Sequence, residues 1–211
     1  MKIRLVTVDE HVLLRLGLAR VVGADADLEL VGEAGTVSAA FEVIAQTRPD
    51  VVTLDIALPD GDGLSLARRL RASHPRLGLV LLTASGDEAL LYRALDEGLS
   101  AYVTKAAPAA TVLSAIRHAA VAPETFTAPG LSAALARRRS AAGLLSQRER
   151  QVLSLMRDGI SLPGIAARLS VSEATVKTYV ARLYTKLRVN NRSQALMAAV
   201  NQGLLVSVDA A

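Results

Sequence analysis

Hydrophobic residues in the first 121 positions form short, nearly continuous apolar runs that alternate with stretches of helical period. Such runs are typical of strands buried on both faces, whereas apolar residues three or four positions apart are typical of amphipathic helices. The pattern predicts strands at residues 3–8, 28–34, 51–55, 77–84 and 100–105. It predicts helices at residues 12–22, 37–47, 63–73, 87–97 and 108–121. This alternation indicates βαβ units and therefore a doubly wound α/β fold with a parallel sheet.

The pattern changes twice after residue 121. Residues 122–143 are rich in Ala, Pro and Gly, so we predict a surface linker, with a helical turn or two over 131–139. Its three consecutive arginines, Arg137–Arg139, fit either a solvated face or contact with a DNA backbone. Residues 144–211 show helical period only, and we expect a domain of four helices there. These helices are predicted from Ser146 to Gly159 and at about 162–169, 173–188 and 192–202.

Charge separates the two predicted domains. The chain carries a net charge of +4, but residues 1–121 hold 12 basic and 15 acidic residues, a net charge of −3. Residues 144–211 hold 9 basic and 4 acidic residues, a net charge of +5. An acidic first domain and a basic second domain indicate different partners, and the basic one points to nucleic acid.

Composition excludes several classes of site. Cysteine is absent, so disulfides, thiolate metal sites and cysteine nucleophiles are excluded. The three histidines, His11, His74 and His118, are far apart and lack metal-ligand spacing. No uncharged apolar run is long enough for a membrane span, and acidic residues interrupt the N-terminal segment before a signal peptide could form. We therefore expect a cytoplasmic protein that does not contact membranes.

One predicted strand ends on an acidic residue. In the stretch VVTLDIALPDGDG, four strand-type residues lead into Asp55, and turn residues follow at once. Taken alone, such an aspartate fits a turn cap, a metal ligand or a nucleophile. Other polar residues also lie at the ends of predicted strands, namely Asp9 and Glu10 after the first, Thr83 near the end of the fourth and Lys105 at the end of the fifth.

These five side chains are expected to meet, because ligands of a doubly wound sheet bind beyond the carboxyl ends of its strands. Three carboxylates would repel one another strongly unless a cation lies among them. Oxygen ligands without His or Cys suit Mg²⁺, and a lysine ammonium and a threonine hydroxyl add donors for a phosphoryl group. The combination fits a carboxylate nucleophile that accepts phosphate.

Four motifs carry a family resemblance. VDEH (8–11), LDIALPDGDG (54–63), LLTA (81–84) and AYVTK (101–105) resemble, in order and spacing, the signature blocks of response-regulator receiver domains. The resemblance covers the whole first domain. It implies a flavodoxin-like five-stranded parallel sheet with strand order 2-1-3-4-5.

The resemblance implies which residues hold the metal and the phosphate. Asp9 and Glu10 match the acidic pair that holds Mg²⁺, Asp55 matches the phosphoacceptor, and Ala57 would give Mg²⁺ its backbone carbonyl. Glu10 stands where a second aspartate is commonest, but it remains an oxygen ligand. The small side chain of Ala57 should leave the phosphoryl group open to water, which predicts a short-lived phosphorylated state.

The resemblance also implies a switch. Thr83 and Lys105 match the pair that binds the phosphoryl group, and Tyr102 matches an aromatic residue that turns inward when the threonine moves. Core packing is the competing interpretation of Tyr102. Ala106 follows the lysine where many receivers have proline, which leaves open whether the bond between Lys105 and Ala106 is cis.

The second domain resembles a LuxR-type helix-turn-helix, the effector of the NarL/FixJ class of response regulators, over residues 145–196. In the predicted helix 173–188, Val176, Val180, Leu183 and Leu187 form one apolar stripe. The opposite side carries small residues and a few long donors, which suits the major groove of DNA. The resemblance implies base contacts around Lys177, Thr178 and Ala181, and contacts to phosphates or groove walls from Thr175, Tyr179 and Arg182.

Two features set this domain apart: the start of its second helix and the apolar residues of its last one. Leu162, Pro163 and Gly164 stand where the family usually has Asn, a basic residue and Glu. Proline is tolerated in a first helical turn, so we expect the helix to form but DNA affinity to be lower, with a shallower salt dependence. In the family the last helix forms the effector dimer, and core packing would also explain its apolar residues, which are Ala195, Leu196, Ala199 and Val200.

The expected function is transcription regulation by a two-component response regulator. A sensor histidine kinase would phosphorylate Asp55, and the modified chain would form a homodimer on double-stranded promoter DNA, with RNA polymerase as a further partner. One alternative is a DNA-binding regulator whose receiver serves only for dimerisation or ligand sensing. Another is an aspartyl-phosphate phosphatase, which usually needs a second aspartate at position 57, where this chain has Ala57. We therefore expect no enzyme activity beyond the receiver's own phosphorylation and dephosphorylation.

Overall fold

The computed structural model describes residues 2–205, apart from the side chains of residues 140–142. The chain divides into two compact units, with the boundary between Pro129 and Gly130. The last residues of the predicted second domain, 206–211, lie outside the described residues.

The first unit alternates strands and helices, as the sequence predicts. In chain order its elements are β1 (Ile3–Val8), α1 (Val12–Gly23), β2 (Leu28–Ala34), α2 (Val37–Thr47), β3 (Val51–Asp55), β4 (Ala57–Leu58), β5 (Gly61–Asp62), α3 (Gly63–Ser73), β6 (Gly78–Thr83), α4 (Glu88–Asp96), β7 (Ala101–Thr104) and α5 (Ala109–Val121). The main sheet is parallel and has the order β2-β1-β3-β6-β7. This confirms the predicted flavodoxin-like order of the five main strands.

The central strands are enclosed on both faces. Every residue of β3 and β6 is buried, because helices cover the sheet on either side. One core cluster joins Leu5 and Val80 of the sheet to Val22 of α1 and Ile116 of α5. Burial of these aliphatic side chains is the main force that holds the strands in place, and it fixes where their carboxyl ends emerge.

A short hairpin that the sequence did not predict follows Asp55. Strands β4 and β5 pair in antiparallel fashion around Pro59 and Asp60. The Asp60 carboxylate accepts hydrogen bonds from the backbone N–H groups of Val37 (2.6 Å) and Ser38 (3.0 Å) at the start of α2, and these bonds lower its pKa. The hairpin is thereby held against the first turn of α2.

Part of the predicted linker belongs to the first unit. The N–H of Thr127 donates to the carbonyl of Ser100, and the N–H of Tyr102 donates to the carbonyl of Thr127, both at 3.0 Å. Thr127 therefore forms a parallel bridge beside β7. This pairing covers the edge of the sheet with the chain that leads to the second unit.

Arg71 of α3 holds the same region together. Its guanidinium donates to the carbonyls of Pro75 (2.6 Å), Gly98 (3.0 Å) and Pro123 (3.2 Å). The Ser100 hydroxyl also donates to the carbonyl of Pro123, at 2.7 Å. These bonds satisfy carbonyls in two turns and in the segment after α5, so they fix how the chain leaves the sheet.

The second unit is helical in its described part. Its elements are α6 (Leu131–Leu144), α7 (Gln147–Arg157), α8 (Leu162–Leu169), α9 (Glu173–Leu187) and α10 (Arg192–Asn201). The four helices predicted for the second domain are α7 to α10. Helix α6 is longer than the one or two turns predicted over 131–139, because a run of alanines and arginines favours helix without an apolar stripe to reveal it.

The start of α7 forms the predicted capping box. Ser146 accepts a hydrogen bond from the N–H of Glu149 (3.3 Å), and the Glu149 carboxylate accepts from the N–H of Ser146 (2.6 Å). Glu149 is buried, and Lys186 of α9 reaches it at 2.7 Å. Burial is the largest single influence and opposes ionisation, but Lys186 and Ser146 together outweigh it and lower the Glu149 pKa. A single carboxylate thus joins the first turn of α7 to the last turn of α9.

Helix α8 forms despite its unusual start, as predicted. Pro163 lies in the first turn, and the Ser161 hydroxyl accepts a hydrogen bond from the N–H of Gly164 at 3.4 Å. In the described part of the chain, no helix is both long and apolar enough to cross a membrane.

Candidate functional site

The carboxyl edge of the sheet gathers four of the predicted residues. Asp9 follows β1, Asp55 ends β3, Thr83 ends β6 and Lys105 follows β7. All four strands are parallel neighbours, so their last residues emerge side by side. Asp9 and Thr83 are each 1% exposed and Asp55 is 3% exposed. Three polar side chains are thus withdrawn from water at one point of the fold.

Lys105 joins the two buried carboxylates. Its Nζ lies 2.6 Å from Oδ2 of Asp55 and 2.7 Å from Oδ2 of Asp9. Burial alone would lower the pKa of Lys105 and is the largest single influence. The hydrogen bond to Asp55 and the negative charges of Asp55 and Asp9 together outweigh it, so the Lys105 pKa is raised. One ammonium group therefore balances two carboxylates that would otherwise repel each other.

The structure does not bring Glu10 into this cluster, and it brings in His11 instead. Glu10 is exposed, whereas the ligand atoms of Asp9, His11 and Asp55 all lie within 4.8 Å of one another. Sequence reasoning assigned His11 no role, since the three histidines showed no ligand spacing. The signal lay in its position, two residues after Asp9 at the end of a strand.

The cluster has the donor set of a metal site. Oδ2 of Asp9 is buried and has no hydrogen-bond partner, because the approach of Lys105 lacks hydrogen-bond geometry despite the short distance. A buried carboxylate oxygen without a hydrogen bond keeps a lone pair that a metal ion can use. Asp9, His11 and Asp55 are therefore a group that fits a metal ion. Ala57 lies two residues beyond Asp55, in β4, and is exposed.

Thr83 and Tyr102 bind the same loop residue. Oγ1 of Thr83 accepts a hydrogen bond from the N–H of Ser85 (3.2 Å), and the Tyr102 hydroxyl donates to the carbonyl of Ser85 (2.7 Å). Tyr102 is 4% exposed, so its ring already lies inside the unit. Burial, followed by the charge of Asp87, raises the Tyr102 pKa to about 12. Ser85 therefore contacts both side chains, through its N–H and through its carbonyl.

The peptide bond after Lys105 is trans, as are all peptide bonds of the described residues. The alanine at position 106 therefore carries none of the cost of a non-proline cis bond.

Helix α9 of the second unit presents the predicted nucleic-acid surface. Val176, Val180, Leu183 and Leu187 are buried, which confirms the apolar stripe. The predicted contact residues lie off that stripe: Lys177, Thr178, Ala181 and Arg182 are exposed, and Thr175 and Tyr179 are partly exposed. The Ser172 hydroxyl caps the helix by accepting from the N–H of Thr175 at 3.1 Å. The six residues predicted to contact DNA thus lie on the sides of α9 that do not face the core.

Helix α10 packs one side against the core of its own unit. Ala195 and Ala199 are fully buried in a cluster with Leu153 of α7, and Leu196 is partly buried. Met197 is 63% exposed. The two alanines are therefore occupied by the core of their own unit, and Met197 is the large apolar side chain that this helix leaves exposed.

Each of the two units matches a known protein family. The family model for the response regulator receiver domain matches residues 5–117, and that for bacterial regulatory proteins of the luxR family matches residues 143–199. A probable transcriptional regulatory protein NarL of Mycobacterium tuberculosis is 37% identical over 209 residues, which cover 97% of this chain and 96% of that protein.

Two further relatives extend the comparison. The DNA-binding transcriptional activator DevR/DosR of Mycobacterium tuberculosis is 37% identical over 205 residues, which cover 93% of this chain and 94% of that protein. The crystal structure of the response regulator ChrA of a heme-sensing two-component system has a TM-score of 0.53 and 34% identity, and covers 97% of this chain and 99% of that one. With its strand-end acidic cluster and its exposed α9 surface, this chain belongs to the two-component response regulators that carry a receiver domain and a LuxR-type DNA-binding domain.

Proposed function

We propose that Asp55 accepts a phosphoryl group from a sensor histidine kinase, and that this modification controls how the second unit binds promoter DNA. The observation that carries the proposal is the contact of Lys105 with Asp55 and Asp9, at 2.6 and 2.7 Å. A lysine held between two buried carboxylates at a sheet edge is an arrangement for binding a transferred anion. A structural ion pair would need only one carboxylate.

The transfer itself is a substitution at phosphorus. An oxygen of the Asp55 carboxylate forms the new bond to phosphorus while the P–N bond of the kinase phosphohistidine breaks, and the released imidazole takes up a proton. Lys105 can follow the new negative charge, since its ammonium already touches the reacting carboxylate. Dephosphorylation is a separate hydrolysis, in which water attacks phosphorus, the bond between phosphorus and the Asp55 oxygen breaks, and inorganic phosphate leaves as Asp55 regains its carboxylate. This is the receiver's own chemistry, and no metabolic enzyme activity is proposed.

The metal implied by the family is Mg²⁺, and the residues present fit such an ion. Asp9 and Asp55 would hold it with the backbone carbonyl of Ala57, and the exposed Glu10 would act through water. When bound, Mg²⁺ would offset the charge of the phosphoryl oxygens.

A route from the phosphate to the rest of the chain runs through Ser85. The Thr83 hydroxyl would turn to the phosphoryl oxygens and release the N–H of Ser85, and the carbonyl of the same residue accepts the hydrogen bond of Tyr102. Tyr102 lies in β7, whose backbone pairs with Thr127 just before the second unit begins. A change at Thr83 would thus reach the segment that leads to the DNA-binding unit.

The second unit would act as the output. Helix α9 would lie in the major groove, with Lys177, Thr178 and Ala181 near base edges and Arg182 near phosphates. The phosphorylated chain would form a homodimer on two half-sites in the cytoplasm, with RNA polymerase as a further partner. Met197, exposed on α10, is the apolar side chain available for a contact between the second units.

The proposal is tested by loading the full chain with phosphate. We expect wild-type protein, incubated with Mg²⁺ and acetyl phosphate, to gain the mass of one phosphoryl group. Asp55→Asn should gain none, since an amide cannot form the acyl phosphate. Intact mass measures the gain, while light scattering and retention of a mixed-sequence DNA duplex measure its consequence.

Each other outcome has a defined meaning. Absence of a mass gain in wild type contradicts the proposed chemistry. A mass gain with unchanged oligomeric state and unchanged DNA retention supports a receiver that does not control the second unit. Release of phosphate far beyond one equivalent indicates an enzyme that turns over aspartyl phosphate.

Replacing Ala57 with methionine is expected to lengthen the life of the phosphorylated state several-fold. Ala57 is exposed beside Asp55, so a longer apolar side chain there would hinder the approach of water to phosphorus. Decay of the phosphorylated mass after removal of donor measures the lifetime. Ala84→Met, at another exposed position near the same edge, is the comparison. An unchanged decay rate in Ala57→Met contradicts the role given to its small side chain.

A further inference from the structure

His11 stands at the metal-binding edge in a position that the predicted set of oxygen ligands did not include. Its Nδ1 lies 3.0 Å from Oδ1 of Asp9 and 3.7 Å from Oδ2 of Asp55. Its side chain is 61% exposed, while both carboxylates are buried. His11 is also the N-cap residue of α1, so the first helix carries its ring at the mouth of the site.

The distances match those between ligands of one ion. In an octahedral shell with ligands about 2.1 Å from the ion, adjacent ligand atoms lie about 3.0 Å apart and opposite ones about 4.2 Å apart. The distance from the His11 nitrogen to the Asp9 oxygen equals the adjacent value, and its distance to the Asp55 oxygen falls between the two values. One nitrogen and one oxygen from each carboxylate are therefore close enough to one another to share an ion.

A separate observation shows that one oxygen of Asp9 has a lone pair free for a metal ion. Oδ2 of Asp9 is buried without a hydrogen-bond partner, although the Lys105 ammonium lies 2.7 Å away. Lys105 supplies charge there but does not satisfy the lone pairs of the oxygen. Glu10 does not fill this place, because its side chain is exposed and lies outside the cluster.

We propose that His11 is a ligand of the ion. Its nitrogen would then raise the preference of the site for a borderline dication such as Mn²⁺ over Mg²⁺, compared with a site made of the two carboxylates alone. Imidazole nitrogen suits transition-metal ions, whereas Mg²⁺ prefers oxygen ligands and keeps its waters. The proposal rests on the proposed phosphoacceptor site but concerns the choice of ion rather than the transfer of phosphate.

A second arrangement of the same residues makes different predictions. His11 could use its Nδ1–H only to orient Asp9, as outer hydrogen-bond partners do for many metal ligands. Loss of an orienting residue lowers the affinity of the site for every ion that the carboxylate binds. Loss of a nitrogen ligand lowers the affinity for Mn²⁺ more than that for Mg²⁺, and it removes the nitrogen that is bonded directly to Mn²⁺.

The test uses the full chain with Mn²⁺ and without phosphodonor. We expect the pulsed electron paramagnetic resonance spectrum of bound Mn²⁺ to show modulation from a directly bonded ¹⁴N nucleus. The modulation should vanish in His11→Ala and His11→Gln and persist in His74→Ala, which removes an exposed histidine outside the cluster. Isothermal titration should show Mn²⁺ affinity at least about tenfold weaker in His11→Ala, with Mg²⁺ affinity changed less than about twofold.

The possible failures are distinct. Absence of ¹⁴N modulation in wild type, or equal losses of Mn²⁺ and Mg²⁺ affinity in His11→Ala, overturns the proposal in favour of an orienting role. Modulation that persists in His11→Ala overturns it by assigning the bonded nitrogen to another residue. Phosphorylation of Asp55 with Mg²⁺ is measured separately by mass, so either proposal can fail while the other stands.

Discussion

Replacing Lys105 with methionine is expected to destabilise the receiver by about 3–5 kcal/mol in the absence of divalent cations, the range for breaking a buried ion pair from one side. Asp9 and Asp55 are almost fully buried, and the Lys105 ammonium contacts both. Methionine keeps most of the volume of the side chain but removes the charge. Two carboxylates would then face each other in a poorly solvated site without a counter-charge.

Divalent cations should restore much of this loss. An ion that binds the native cluster but not the unfolded chain stabilises by mass action, and Lys105→Met removes the ammonium that competes with the ion for both carboxylates. Millimolar Mg²⁺ or Mn²⁺ should therefore raise the stability of Lys105→Met more than that of wild type. Urea unfolding followed by circular dichroism measures this, and peptide-resolved hydrogen exchange assigns the transition to the receiver.

The matched control is Lys2→Met, which makes the same replacement at an exposed lysine. It should change the free energy of unfolding by less than about 0.5 kcal/mol, as surface substitutions usually do, and should leave the cation dependence unchanged. A Lys105→Met variant as stable as Lys2→Met would show that the contacts of Lys105 contribute little, and the charge balance described for the site would be wrong.

The sequence predicted the sheet and the strand ends well because both depend on local pattern. Apolar runs such as 51–55 and 78–83 have the length and composition of fully buried strands, and each leads directly into a polar residue. The parallel order then follows from the alternation with helices. Asp9, Asp55, Thr83 and Lys105 lie at or next to strand ends as predicted, since a residue at a strand end needs no knowledge of side-chain rotation.

The features that were missed depend on where a chain turns or what it meets at long range. Glu10 and His11 are consecutive, and the path of the chain between β1 and α1 decides which side chain faces Asp55. No apolar pattern predicts the pairing of Thr127 with β7, because backbone groups alone make it. Lys186 and Glu149 are 37 positions apart, and only the packing of α7 against α9 brings them together.

Replacing Gly63 with alanine is expected to destabilise the receiver by about 3 kcal/mol, the upper range for overpacking of a tight core. Gly63 is the first residue of α3, and its N–H donates to the carbonyl of Ile56 at 2.8 Å. A Cβ built at Gly63 would overlap the backbone carbonyl oxygen of Asp55 and lie 2.9 Å from its carbonyl carbon. Backbone cannot yield as the end of a side chain can, so α3 or the end of β3 must move.

The same change should slow phosphorylation, because the atoms that would be displaced carry the Asp55 side chain. We expect Gly63→Ala to take up phosphate from acetyl phosphate at least about tenfold more slowly than wild type, since small displacements of a reacting group are costly. Intact mass over time measures the rate, and urea unfolding measures stability in the same preparation.

Gly17→Ala is the matched control, because Gly17 also lies in a helix but a Cβ there would meet nothing within 4 Å. Alanine in an exposed helix interior is favoured over glycine, so this variant should be more stable by up to about 1 kcal/mol and should accept phosphate at the wild-type rate. If Gly63→Ala also proved as stable and as reactive as wild type, the contact between the start of α3 and the backbone of Asp55 would not constrain the site. The two substitutions are thus expected to change the free energy of unfolding in opposite directions. Gly17 faces solvent, whereas Gly63 touches the backbone of the residue that is to carry the phosphate.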